Sequence, residues 1–255
     1  MIELIAVCLA LADPFTVDPP VSPEIIENQM FINTDIINTP PITDRIYKNC
    51  TFVGLGLNHA FSIRHVPGAT WPHPVIERFR FEDCMFIPSF GYAFWCNGDL
   101  RNTEFDDCMF GSSASESPVR IYNAFKVQLI DCDLFNEGES VPDNQKACAR
   151  FINFDLVRLL RCDFIGGALW LNMPDTGGGW GGRVWVEECA FDHWSSVSTA
   201  IAIFERQSWP PWGVVPFNVT VYNCTAVSRF PWPLIGGGEH CDRLVDVGNE
   251  IVQIE

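Results

Sequence analysis

The sequence predicts an all-β chain: a single-stranded parallel β-helix of about seven coils. Three observations carry that expectation. A short pattern centred on cysteine recurs seven times, a second apolar-alternating segment follows each copy, and no helical periodicity lies between them. The copies are IYKNCTF ending at Phe52, FEDCMF at Phe86, FDDCMF at Phe110, LIDCDL at Leu134, LLRCDF at Phe164, VEECAF at Phe191 and VYNCTA at Ala226. Successive cysteines are 34, 24, 24, 30, 27 and 35 residues apart. That is the unit length of stacked coils.

Each position in the unit has a physical role. Three residues before each cysteine stand Tyr47, Phe81, Phe105, Leu129, Leu159, Val186 and Val221. Two residues after stand Phe52, Phe86, Phe110, Leu134, Phe164, Phe191 and Ala226. All are apolar, so both positions read as inward columns with the cysteine between them. Directly before the cysteine come Asn49, Asp83, Asp107, Asp131, Arg161, Glu188 and Asn223, all polar, as a tight turn requires. The following strands begin at Ala60, Tyr92, Pro118, Ala149, Ala168, Thr199 and Arg243, most of them alternating with period two at least in part. The pattern divides the chain into an N-terminal arm over 1–44, a β-helix over 45–248 and a tail over 249–255.

Composition bounds the partners. With 32 acidic and 16 basic residues among 255, the net charge is −16, which excludes the clustered Lys and Arg that a nucleic-acid backbone or an anionic membrane demands. A hydrophobic fraction of 47% supplies a large core and excludes wholesale disorder. The 11 cysteines include no C-x-x-C pair, so they read as buried thiols and not as a zinc or redox site. A linear column of thiols does not converge on a metal, and no cofactor is expected. Leu4–Leu11 is a short apolar run without Lys or Arg before it, read as an ordered arm in preference to a signal peptide.

This arrangement resembles the right-handed parallel β-helix superfamily, which includes pectate lyases, polygalacturonases and many phage tailspikes. The resemblance covers about residues 45–248 and is one of fold pattern. It implies a right-handed coil and, from the phage members, a homotrimer. The enzyme motifs of the superfamily are incomplete. Asn33-Thr34-Asp35 and Asp106-Asp107 match two polygalacturonase elements, but the Gly-His-Gly and Arg-Ile-Lys elements are missing. Asp133 and Asp163 share a column near Arg161, where a lyase-like cation site is conceivable, but neighbouring acids are expected by chance in a chain this acidic.

Residues suited to binding stand in the loops. Trp209 and Trp212 flank a Pro-Pro pair and Trp232 lies between two prolines, rigid settings from which an indole can stack on a sugar or anchor a partner. The expectation is a non-catalytic structural or adhesive β-helix of a viral or phage particle, exposed on the virion. The N-terminal arm would join other particle proteins, and glycans are possible ligands. A carbohydrate-active enzyme, secreted, is the alternative.

Overall fold

The computed structural model describes residues 17–37, 41–64, 74–111, 117–136, 146–172, 182–193, 199–204, 217–228 and 233–254. They are all-β apart from one short 3-10 turn, Gly238–His240, and every strand pair is parallel. No helix among them is long and apolar enough to cross a membrane. The chain climbs as a β-helix-like stack with three walls.

The first wall holds the strands that precede the repeat cysteines: Glu24–Glu27, Ile42–Lys48, Val75–Glu82, the second halves of Phe94–Asp106 and Val119–Ile130, Leu156–Leu160, Gly182–Glu187, Phe217–Tyr222 and Arg243–Val247. The second wall is a separate nine-stranded sheet whose rungs follow the cysteines: Met30–Ile32, Thr51–Gly54, Met85–Pro88, Met109–Phe110, Asp133–Phe135, Asp163–Ile165, Ala190–His193, Thr225–Ser228 and Glu250–Gln253. The third wall comprises Thr34–Ile37, Phe61–Arg64, the first halves of Phe94–Asp106 and Val119–Ile130, Ala147–Ile152, Ala168–Asn172, Ile201–Phe204 and Ile235–Gly236. The two long strands bend from the third wall into the first, joining both into one 15-stranded sheet.

The corner between the first and second walls repeats with little change. Asn28, Asn49, Asp83, Asp107, Asp131, Arg161, Glu188, Asn223 and Gly248 all take φ between 48° and 70°. Asn and Asp tolerate this left-handed conformation best, because their short side chains bond locally. Arg161 and Glu188 are the departures, and a two-bond ion pair with Asp131 of the preceding unit (2.6 Å each) holds Arg161 there. Arg78, left-handed in the first wall, is held in the same way by Asp44 (2.7 and 2.8 Å).

Inside the corner the thiols form the expected column. Each Sγ donates to the carbonyl two residues earlier and to an inward carbonyl of the preceding unit; Cys108, for example, reaches Asp106 O at 3.4 Å and Phe81 O at 3.3 Å. The thiol is therefore both a small hydrophobe and a donor to a buried acceptor. Beside it run the aromatic columns. Phe31, Phe52, Phe86 and Phe110 stack at 5.0, 4.9 and 4.9 Å between centroids, and Tyr47, Phe81 and Phe105 at 5.1 and 4.9 Å. The phenylalanines of the later units thin to Leu134, Phe164, Phe191 and Ala226, which keep the same register.

Strands also extend beyond the span that the cysteine pattern marks. Residues 24–37 were expected in the arm, yet they form strands paired with the next unit, and Glu250–Gln253 of the expected tail closes the second wall. These outer rungs keep the left-handed corner (Asn28, Gly248) and the inward apolar residue (Phe31, Ile251), but Gln29 and Asn249 stand in place of cysteine. A pattern anchored on cysteine stops short of them. Ahead of the first rung, residues 17–23 run outside the first wall. Asp18 lies 3.7 Å from Lys126, and Val21 N–H donates to Asp44 Oδ1 at 2.7 Å.

Asn249 closes the thiol column with an amide. Its Nδ2 donates to Val221 O at 3.0 Å, the carbonyl equivalent to the one Cys224 reaches in Val186 at 3.7 Å, and its Oδ1 accepts Cys224 N–H at 2.6 Å. Asn249→Ala removes both bonds and a third from Nδ2 to Asp246 Oδ1, and leaves the part-buried Cys224 N–H without its side-chain acceptor. The expected loss is about 1–3 kcal/mol in urea denaturation.

Candidate functional site

The carboxylates singled out by sequence fall at three separate places on the stack. Asp35 lies on the third wall in the first unit, where Arg64 and Ser62 donate to it. Asp106 and Asp107 lie at the other corner, beside Asp83 and Asp131. Asp133 and Asp163 are register partners on the second wall, as their spacing implies. Desolvation raises the pKa of both, and the charge of Asp163 adds to the rise at Asp133. Arg161 turns away from them to Asp131, whose pKa it lowers. Among the described residues no group of three or more His, Cys, Asp or Glu side chains is placed to hold a metal ion. Trp209, Trp212 and Trp232 lie outside the described residues.

The third wall carries the most distinctive outward row. Parallel pairing puts Asp35, Ser62, Trp95, Arg120, Arg150, Trp170 and Ala202 in one column, one residue per unit. The reason is period two. From Ser62 onward each sits between inward apolar neighbours, as Trp95 does between Phe94 and Cys96, and Arg150 between Ala149 and Phe151. Neighbouring units are about 4.8 Å apart, so the four central side chains span about 14 Å.

The row is flanked by rings that fix the guanidinium groups. Arg120 lies over Tyr122 (5.0 Å) and Tyr92 (5.8 Å), and donates to the Tyr92 hydroxyl at 2.8 Å. Arg150 lies over Trp170 at 5.3 Å and donates to Asn172 Oδ1 at 3.2 Å. Phe204 meets Trp170 edge-on at 5.1 Å, and His59 sits 4.9 Å from Trp95. The His59 ring is half-buried, with Nδ1 accepting the Tyr92 N–H at 3.0 Å. Burial, then the nearby Arg64 charge, lowers its pKa and keeps the imidazole neutral at pH 7. All four central residues are half-buried and face outward, so flat ring surface and cationic planes share one column in a chain of net charge −16.

No family model matches the chain, and no curated protein or solved structure matches it. Indole and phenol faces stack on the apolar face of a sugar ring, and adjacent guanidinium groups favour a carboxylate or sulfate on that sugar. The sequence reading sought this chemistry in the proline-rich loops and missed Trp95, Arg120, Arg150 and Trp170. Aligning the second strands on their central residue (F-S-I, F-W-C, V-R-I, A-R-F, L-W-L, I-A-I) displays the column directly.

Proposed function

We propose that this chain is a non-catalytic, adhesive β-helix that presents the third wall to an acidic glycan. The observation that carries the reading is the in-register column Trp95–Arg120–Arg150–Trp170 with its flanking rings. A rigid parallel stack suits such a role, since it sets ring and charge at a fixed repeat without a loop to order on binding. The coil is right-handed, the working form is a homo-oligomer with a trimer favoured, and the protein is a surface component of a viral or phage particle, joined to it by the N-terminal arm. These last assignments rest on the superfamily resemblance, and the acidic surface suits a position away from packaged nucleic acid.

The test is a glycan panel containing uronate, sialylated, sulfated and neutral chains. Binding to acidic members is expected, falling at least tenfold in Trp170→Ala and in Arg150→Gln, with no new reducing ends or unsaturated products. Failure to bind any acidic glycan rejects the reading. Turnover would move the chain to the enzyme class.

A further inference from the structure

The outer face of the second wall carries a feature that the glycan-binding role does not use. Each rung turns two residues outward, and register sorts them into two columns. One runs Ile32, Val53, Ile87, Gly111, Phe135, Ile165, Asp192, Val227, Val252. Apart from Asp192 it has no charge over all nine rungs. The other runs Met30, Thr51, Met85, Met109, then Asp133, Asp163, Ala190, Thr225 and Glu250, so it is uncharged and mostly methionine in the lower half and carries three acids among five residues above. Met30 is 70% exposed, Ile32 59%, Met85 41% and Ile87 40%, and Leu57 and Phe90 on the adjoining turns are exposed as well. Val, Ile and Met laid open in a straight line are costly in water and mark an interface.

We infer that this wall is a self-association face, on which a second copy of the chain lies with its stack running in the same direction. The pattern of charge selects both partner and direction. Laid antiparallel, rung one would meet rung nine and rung three would meet rung seven, setting Glu250 against Met30 and Asp192 against Ile87. That buries carboxylates on apolar side chains. Laid parallel about an axis along the stack, the column meets itself at every rung, uncharged at eight of the nine, and Asp192 facing its own copy is the single like-charge contact. The methionines of the lower half join it, while Asp133 and Asp163 stay at the solvated rim.

A copy also presents the same repeat of about 4.8 Å, so side-chain ridges interlock over the full height. A wall about 12 Å wide and about 40 Å tall offers about 500 Å² per copy, so the two sides together give about 1,000 Å², the lower limit for a specific interface and the size of a weak, reversible one.

The proposal deepens the oligomeric reading given above and rests on it, but the two are tested by separate measurements. Mass measurement by light scattering on the full chain is expected to give a multiple of 28.7 kDa. Ile32→Lys combined with Ile87→Lys is expected to return the 28.7 kDa monomer with an unchanged circular dichroism spectrum, since both residues face water in the single chain. In a Cys8→Ser, Cys241→Ser background, Ile87→Cys is expected to form a symmetric disulfide dimer on mild oxidation, which only the parallel arrangement allows. A wild-type monomer at 100 µM overturns the proposal, as does an oligomer that survives the lysine pair. So does an oligomer lost on removing residues 1–16 but kept in the lysine pair, which would place the contact on the arm. Loss of glycan binding bears on the third wall alone.

Discussion

Phe86→Asp is expected to unfold the stack, whereas Met85→Asp, one residue earlier, should leave it folded. Phe86 is fully buried, with Phe52 stacked on one side and Phe110 on the other, both at 4.9 Å. Losing such a ring costs about 3–5 kcal/mol through the cavity alone. An unpaired carboxylate in its place adds to that, even after the acid takes up a proton. The sum, about 5 kcal/mol or more, is comparable with the whole stability of many domains. Met85 faces outward in the column that already accepts Asp133 and Asp163, so its change should cost less than about 1 kcal/mol. Thermal melts of the two variants, followed by circular dichroism, check the alternation: similar midpoints would mean that the register is wrong by one residue.

The second large effect is alkaline. Cys96 and Cys148 are fully buried, and burial pushes both thiols from 9.0 up to about 12. In the unfolded chain they lose their protons near pH 9; in the folded chain they keep them. The unfolded state therefore binds fewer protons over this window, and folding loses about 1.4 kcal/mol per pH unit for each thiol as pH rises from 9 towards 12. Below pH 9 the contribution is complete and flat. The stability curve in urea should fall steeply above pH 9, and Cys96→Ala should be less stable at pH 7 but flatter above 9. Unchanged stability between pH 8 and 11 would contradict the burial of these groups. At pH 8 a thiol reagent should label Cys96 and Cys148 only on denaturation.

Much of the architecture was legible because one column is chemically rare. Cysteine flanked by a turn residue and two inward apolar residues fixes the corner, and parallel pairing of Met85, Met109 and Asp133 follows the spacing of Cys84, Cys108 and Cys132. The end rungs were missed for the same reason, since Gln29 and Asn249 do not announce themselves. Asn249 shows what the column requires: a donor for the carbonyl below and an acceptor for the neighbouring N–H. Cysteine is one solution and asparagine another.

The outward rows were harder to read. Side chains on the outside of a wall are not constrained by packing, so Trp95, Arg120, Arg150 and Trp170 share no residue type to align on. Their kinship comes only from register, and the loops of unequal length between units hide it. Proline-rich loops drew attention to Trp209, Trp212 and Trp232, whose sequence context is distinctive. The rings ordered on a strand had no local mark.

The identical corner at successive units also bears on how such a chain changes length. Cys84, Cys108 and Cys132 are separated by the same 24 residues, and Asp83, Asp107 and Asp131 before them share φ of 53°, 52° and 50°. A segment copied or removed between equivalent corners, such as 108–131, returns the chain to the same corner with every inward column in phase. A single residue gained within a strand turns everything beyond it inside out, until a loop absorbs the slip. Height is therefore the inexpensive variable in this architecture and phase the forbidden one. Lineages of such proteins are expected to differ by whole storeys and by the loops that join them, while the pattern within each storey persists.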